Sequence, residues 1–497
     1  MKNFIINRLI ENKNKNIISF HTPGHKNGRI FKKLGYSEIL DEIYKIDTTE
    51  IIGTDNLHSP EEIIKRSQER AAKVFNAKHT YYLVNGSTCG IQAAILSVCN
   101  DNDSKIIVNR DCHQSVVNTC VMGNIDPVYI PFNICEKTSI LKGVNIESVK
   151  KVIDSNLDAK AVVLTYPTYY GMTYNLGKIC EYAHSKGILV IVDEAHGAHL
   201  ELSDKLPTSS LKLDADIVIQ SCHKTLPSFT QSSLLHLNST RVDANKISSF
   251  LRILESSSPS YLLLTSLEIA VDIYERYGKK LMEDLLLNIT EFNSNFDVEY
   301  IDSDINLYKT RPVKNTYLKN AADFKIFQPT DKTKIFISST ELGIDGYKFE
   351  EILRYKYNIQ VELSNYYGVL LLCSIANEID DFDMLKNALM DIKKNIKGKK
   401  ILDQIEFPKI TPKKALTPLQ AFYKHTKSVK IDKSIGQICA ESLTPYPPGV
   451  NLISPGEIVD REVLEYILYC KEKGMYISGS RDKDLKFIEV IDNSVDI

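Results

Sequence analysis

Residues 161–199 read AVVLTYPTYYGMTYNLGKICEYAHSKGILVIVDEAHGAH. Ala161–Thr165 and Ile188–Val192 are unbroken apolar runs of strand length, the pattern of strands buried on both faces. Between them Asn175–Lys186 has helical spacing and is closed by Gly187, so the stretch is a strand, helix, strand unit. Working outward, similar runs lie at Ile106–Val108, Val128–Ile130, Ile217–Ile219 and Leu234–Leu237. This alternation predicts an α/β fold with a mostly parallel sheet covered by helices, reaching to about residue 275. Upstream, Ser59-Pro60-Glu61-Glu62 predicts a helix start running to about Phe75, with Ser59 as cap. After the turn at Asn85-Gly86, Ser87 opens a second helical segment, STCGIQAAILSVC (87–99). Downstream, Ile335–Ser338, a helix from about Tyr347, Ile359–Leu363, Val369–Ser374 and a helix near Asp380–Ile392 predict a smaller α/β unit. A turn-rich segment, ESLTPYPPGVNLISPGEIV (441–459), belongs to a third, α+β portion. The expected division is 1–275, 276–405 and 406–497.

A chain of 497 residues exceeds what one hydrophobic core supports. With 43% hydrophobic and 25% charged residues it has globular composition, not that of a disordered chain. Lys+Arg total 61 against Asp+Glu 63, without long runs of one sign, which argues against nucleic acid as a partner. The ten cysteines form no CxxC pair and read as separate reduced thiols, which implies the cytoplasm. The opening MKNFIINRLIENKNKN has no signal-peptide pattern, and no run approaches a membrane span.

In an open parallel sheet, ligands bind beyond the carboxyl ends of the strands. Here those ends are polar: Asp193-Glu194-Ala195-His196-Gly197-Ala198-His199 after one run, Gln220-Ser221-Cys222-His223-Lys224-Thr225 after another, Tyr166-Pro167-Thr168-Tyr169-Tyr170-Gly171 after a third. A lysine at the sheet mouth, an aspartate 31 positions before it and a Gly-Ser-Thr helix start form a coherent set for pyridoxal phosphate. Lys224 would bond the cofactor aldehyde. Asp193 would pair with the pyridine nitrogen and keep it protonated. Ser87 and Thr88, at a helix start with free N–H groups, would hold the phosphate, and Ser221 could add a hydroxyl. Singly, each has a commoner structural meaning: a solvated lysine, a helix cap, an N-cap. Jointly, at matching strand ends, they favour the cofactor. A metal site built from Asp193, His196 and His199, or from His21 and His25, is the competing reading. Pro23-Gly24 keeps His21 and His25 from sharing a helix face, and the cysteines lack ligand spacing, so no metal is expected.

FHTPGHKNG (20–28), VNGSTCG (84–90), NRDCHQS (109–115), TYPTYYG (165–171), VDEAHGAH (192–199), QSCHKTLPSFTQSS (220–233), SSSPSYLLLTSLEIA (256–270) and PYPPGVNLISPGE (445–457) together resemble the Orn/Lys/Arg decarboxylases. The motifs run in family order over nearly the whole chain. The resemblance implies pyridoxal-phosphate fold type I, like aspartate aminotransferase, in the compact Gram-positive form without the receiver-like domain of the large enteric members. It implies that Lys224 carries the cofactor, Asp193 faces the pyridine nitrogen and His113 stacks on the ring. Ser87, Thr88 and Ser221 would surround the phosphate, His196 would join the cofactor-binding set, and His223 would stand beside the lysine as a candidate proton donor. Ser256–Ser260 resembles a segment that reaches the neighbouring subunit's phosphate site, so a homodimer or higher homo-oligomer is expected.

The implied reaction is decarboxylation of lysine, arginine or ornithine to the diamine or agmatine and CO2. Glu441 or Glu457 could receive the distal cation, or be ordinary surface carboxylates. An aminotransferase or other lyase on the same scaffold, and a non-catalytic regulatory relative, are the alternatives.

Overall fold

The structure is a computed structural model that describes residues 4–99, 101, 104–135, 138–301, 309–311, 324–396, 402, 412–446 and 449–494. Its larger sheet has seven strands: β1 His79–Leu83, β2 Lys105–Asn109, β3 Asp126–Ile130, β4 Ala161–Thr165, β5 Leu189–Asp193, β6 Ile217–Gln220 and β7 Ser233–Leu237. Their order is β1-β7-β6-β5-β4-β2-β3. The neighbours from β6 to β3 are all parallel, and β7 alone runs against both β1 and β6. The apolar runs explain the centre of the sheet: Ile106, Val162, Val190 and Val218 are wholly buried, as strands covered on both faces require. β1 escaped the sequence reading because it is an edge strand. His79 is exposed and Tyr81 half-buried, so it carries no continuous apolar run.

The helix expected from Ser59 begins at Ile63 and ends at Phe75. Ser59 does not cap it. The Asp55 carboxylate accepts from the N–H groups of Glu61, Glu62 and Ile64 instead, a long-range cap invisible to a local capping rule.

Buried in β7, His236 contacts Thr80 Oγ1 at 2.9 Å and Gln220 Oε1 at 3.1 Å and packs on Phe75. Burial pushes its pKa down to about 3. The unfolded chain therefore takes up a proton near pH 6.5 that the folded chain refuses until far lower pH, so stability falls as pH drops. Between about pH 6.5 and 5 this group alone should cost roughly 2 kcal/mol. Denaturant unfolding at both pH values should show the wild type losing that much more than His236→Phe; equal losses would refute the assignment.

The second sheet comprises β8 Asp297–Tyr300, β9 Lys309–Arg311, β10 Lys325–Gln328, β11 Lys334–Ser338, β12 Leu363–Asn365 and β13 Gly368–Leu372, in the order β9-β8-β10-β11-β13-β12. The helix Gly346–Lys356 packs on β12 and β13 so closely that a Cβ on Gly346 would lie 2.0 Å from the Asn365 carbonyl oxygen and 2.2 Å from that of Gly368. The single strand expected over Ile359–Leu363 is two. Ile359–Val361 leaves the sheet to pair in parallel with Ile18–Phe20, and Glu362 marks the break. Beyond residue 412, Thr426–Lys430 pairs antiparallel with Phe487–Ile491, Thr444–Tyr446 pairs with Tyr476–Ser478, and the helix Arg461–Glu472 completes an α+β portion. A buried two-point ion pair fastens this portion to the larger sheet. Arg110, just after β2, meets Glu457 at 2.8 and 2.6 Å and also donates to the carbonyls of Asn451 and Leu452.

Candidate active site

The carboxyl ends of β2, β4, β5 and β6 open into one cavity of about 620 Å³, the place an α/β sheet offers a ligand. Ser87, His113, Asp193, His196 and Lys224 all line it. Asp193 is the last residue of β5, paired across to Thr165, and its Oδ1 accepts from the Ala195 N–H at 3.1 Å. Lys224 follows β6 on the short helical turn Cys222–Thr225. Burial lowers its pKa, against the partial restoring fields of Asp193 and Glu362, which favours a nucleophilic free amine. His113 caps the helix Gln114–Met122: its Nδ1 accepts the Ser115 N–H, with the Ser115 hydroxyl 2.8 Å away. The proton of the neutral ring is thereby on Nε2. Burial lowers this pKa too, which keeps the ring uncharged.

The helix Gly86–Val98 points its N-terminus at the same region, with no side-chain cap and no acid in its first turn. The Gly86 N–H donates to the Gln231 carbonyl at 2.8 Å, and the N–H groups that follow it, with the dipole, suit an anion. Ser221 Oγ lies 2.9 Å from Ser87 Oγ, so the two hydroxyls form one polar edge. Thr88 is exposed, and His223 is turned toward the Ser232 carbonyl, 3.0 Å from Nδ1; neither side chain lines the cavity. Ser256–Ser258 are exposed, next to Glu255, which accepts from the Val84 N–H beside the helix start.

The HTPGHK segment braces the lysine turn from below. Gly24 N–H donates to the His223 carbonyl at 2.7 Å, and a Cβ at Gly24 would stand 2.5 Å from the Leu226 carbonyl oxygen, so only glycine allows this approach. Lys26 is wholly buried and donates to the His21 and Leu372 carbonyls.

Glu362, Asp111 and, behind the cavity, Lys334 were not legible in the sequence, whereas Tyr169 was expected at the sheet mouth. Glu362 accepts from the Thr22 N–H and the Tyr169 hydroxyl. Asp111 accepts from Asn109, and Tyr169 stands edge-on to His196 with ring centroids 4.7 Å apart. Lys334, fully buried, reaches His196 from behind. The two acids considered for a distal cation are placed elsewhere. Glu457 is consumed by Arg110, and Glu441 accepts from the N–H groups of Arg481 and Glu489. His199 contacts Asp331 and Thr333, the residues just before His196's partner Lys334. Among the described residues no group of three or more His, Cys, Asp and Glu side chains could hold a metal ion.

The donor set in the cavity fits pyridoxal phosphate: an amine of lowered basicity for an aldehyde, a carboxylate for a ring nitrogen, an imidazole for the ring face and an uncapped helix N-terminus for the phosphate.

Comparison with known proteins gives a consistent picture. The Orn/Lys/Arg decarboxylase major-domain family matches residues 5–381, and the Orn/Lys/Arg decarboxylase C-terminal-domain family matches residues 398–481. The chain is 36% identical over 487 residues to an arginine decarboxylase of Bacillus anthracis, covering 97% of this chain and 96% of that one. An arginine decarboxylase of Bacillus subtilis (strain 168) is 34% identical over 478 residues, covering 95% and 94%. Among solved structures, the lysine decarboxylase LdcF of Francisella novicida superposes with a TM-score of 0.74 at 20% identity, covering 95% of this chain and 79% of that one. This last likeness is one of fold, and it bears out the α/β, type I architecture with its mostly parallel sheet. No helix among the described residues is long and apolar enough to cross a membrane.

Proposed function

The chain belongs to the Orn/Lys/Arg decarboxylase family, and from that premise we propose that it is a pyridoxal-phosphate enzyme that removes the α-carboxylate of arginine as CO2. Decarboxylation of a basic amino acid is the family's reaction and the activity of this chain. The observation that carries the site assignment is that Lys224, Asp193 and His113 share one cavity at the strand ends. Arginine as the substrate rests on the Bacillus relatives of that name.

In this reading Lys224 would hold the cofactor through Nζ, whose lowered basicity suits it to bond an aldehyde. Asp193 keeps a proton on the pyridine nitrogen. His113, neutral and pinned at Nδ1 by Ser115, presents its ring to the cofactor face. The N–H groups at the start of Gly86–Val98, that of Thr88 among them, would grip the phosphate with the hydroxyls of Ser87 and Ser221. His196 steadies the Lys224 side of the cofactor. When bound, the cofactor supplies an electron-withdrawing ring that takes up the pair left as the carboxylate departs. His223, adjacent to Lys224, is the candidate to return a proton to the α-carbon, on turning from the Ser232 carbonyl into the cavity. The cavity walls, Leu141 and Tyr170 among them, keep water from the reacting centre.

The wider reading includes a homodimer in which Ser256–Ser260 of each subunit approaches the other's phosphate site, and a cytoplasmic setting in keeping with ten cysteines, none of them in a disulfide. It also keeps the threefold division near 275 and 405; position 405 lies outside the described residues. Purified protein supplied with pyridoxal phosphate and offered arginine, lysine or ornithine should release CO2 from arginine with kcat/KM at least about tenfold above the others. A preference for lysine or ornithine would overturn the substrate, and absence of CO2 from all three would overturn the reaction.

A further inference from the structure

Lys334, the first residue of β11, is wholly buried behind the cavity, with Nζ 2.9 Å from His196 Nδ1. On the other edge of the same ring, Lys224 Nζ lies 3.2 Å from Nε2. One imidazole is thus bracketed by two amines. A neutral imidazole has one N–H and one lone pair, so the amine at its N–H edge must be a free base, and only the amine at its lone-pair edge can be an ammonium. Two ammoniums would leave one of them facing an N–H in a dry interior. Room for Lys334 is built in: Gly171 has φ +84°, and a Cβ there would lie 2.6 Å from Lys334 Cγ. The Tyr169 ring covers the ammonium end, 5.8 Å from Nζ.

We propose that Lys334 is a positioning residue for Lys224: the array Lys334, His196, Lys224 holds a single excess proton, which the imidazole passes between the two amines. In that step the Lys224 ammonium gives a proton to Nε2 while Nδ1–H gives its proton to the Lys334 amine. The net charge of the array is unchanged, no other bond is made or broken, and Lys224 is left with the lone pair a nucleophile needs. The inference rests on the assignment of Lys224 as the cofactor-bearing residue and extends it to the residue that readies it.

The surroundings agree. Burial pushes Lys334 down to about 8, with Glu362 and Asp331 opposing and Lys224 adding to the effect, and Cys373 and Lys26 on its far side. Burial likewise holds His196 well below its ordinary value, reinforced by both lysines and by His223 and His199. Asp193, Glu362 and His113 face Lys224.

The test is competitive acetylation of the full chain, stripped of cofactor, over about pH 6 to 11, with each lysine's labelling midpoint read by mass spectrometry. In the wild type Lys224 should label with a midpoint at least about one unit below the ordinary lysine value. Lys334→Met, which removes both the second ammonium and the proton acceptor, should raise the Lys224 midpoint by about one unit or more, a tenfold loss of free amine. Lys334→Arg, which keeps the charge, should leave the midpoint low. An unchanged midpoint in Lys334→Met, or equal rises in both variants, overturns the proposal. If neither variant folds, an ordinary midpoint for Lys224 in the wild type overturns it alone. Borohydride trapping of the holoenzyme separately reports which lysine holds the cofactor, so failure of that assignment and failure of the shared proton are distinguishable.

Discussion

Lys224→Ala is expected to lower kcat/KM for CO2 release by about 10⁴-fold or more. The size of the effect follows from the cavity, which offers no equivalent attachment point among the described residues. Lys26 is committed to two backbone carbonyls, and Lys334 stands behind His196, outside the cavity lining. The fold should survive, because the brace on the turn is made by backbone atoms: the Gly24 N–H bonds the His223 carbonyl whatever side chain occupies 224. Borohydride reduction of the wild type should tag the peptide containing Lys224, and the variant should yield no tagged peptide. Steady decarboxylation by the variant, or a tag elsewhere, would remove the foundation of the assignment.

Arg110→Met is expected to cost about 3–5 kcal/mol of stability, the second large effect. Arg110 and Glu457 side chains are each 4% exposed, so deleting the guanidinium leaves a carboxylate buried without its partner. The Ser454 N–H still bonds Glu457, yet one neutral donor does not replace a two-point cation. The damage should reach the site, since Gly449 and Asn451 on the same segment line the cavity. The double variant Arg110→Met with Glu457→Met should recover most of the loss, because it removes the charge rather than stranding it. Denaturation midpoints for the two singles and the double measure this. A single variant as stable as the wild type would show that the pair does not hold the C-terminal portion.

The residues that were legible in the sequence are announced by a local pattern: a turn and helix start for Ser87, an apolar run for Asp193 and Lys224. Asp193 and Lys224 follow strands that are buried on both faces, and a polar residue directly after such a strand has only the sheet mouth to occupy. Glu362 and Lys334 carry no such signal. Each sits at the margin of a short strand, where a charge ordinarily faces water, and it is the docking of the second sheet on the first that turns them inward. Glu457 misled for the complementary reason. Its partner lies 347 positions away, so nothing near it marks it as already paired. The cap by Asp55 and the edge strand β1 are failures of the same kind, where contacts distant in sequence, or missing on one side, override a local rule.

The pairing of Ile18–Phe20 with Ile359–Val361 sets an order of events during biosynthesis. The beginning of the polypeptide cannot dock until a strand specified more than two-thirds of the way along has left the ribosome, and loop closure over that span is slow. Translation that stalls before that strand emerges leaves a protein whose seven-stranded sheet can form while the support beneath its reactive amine is missing.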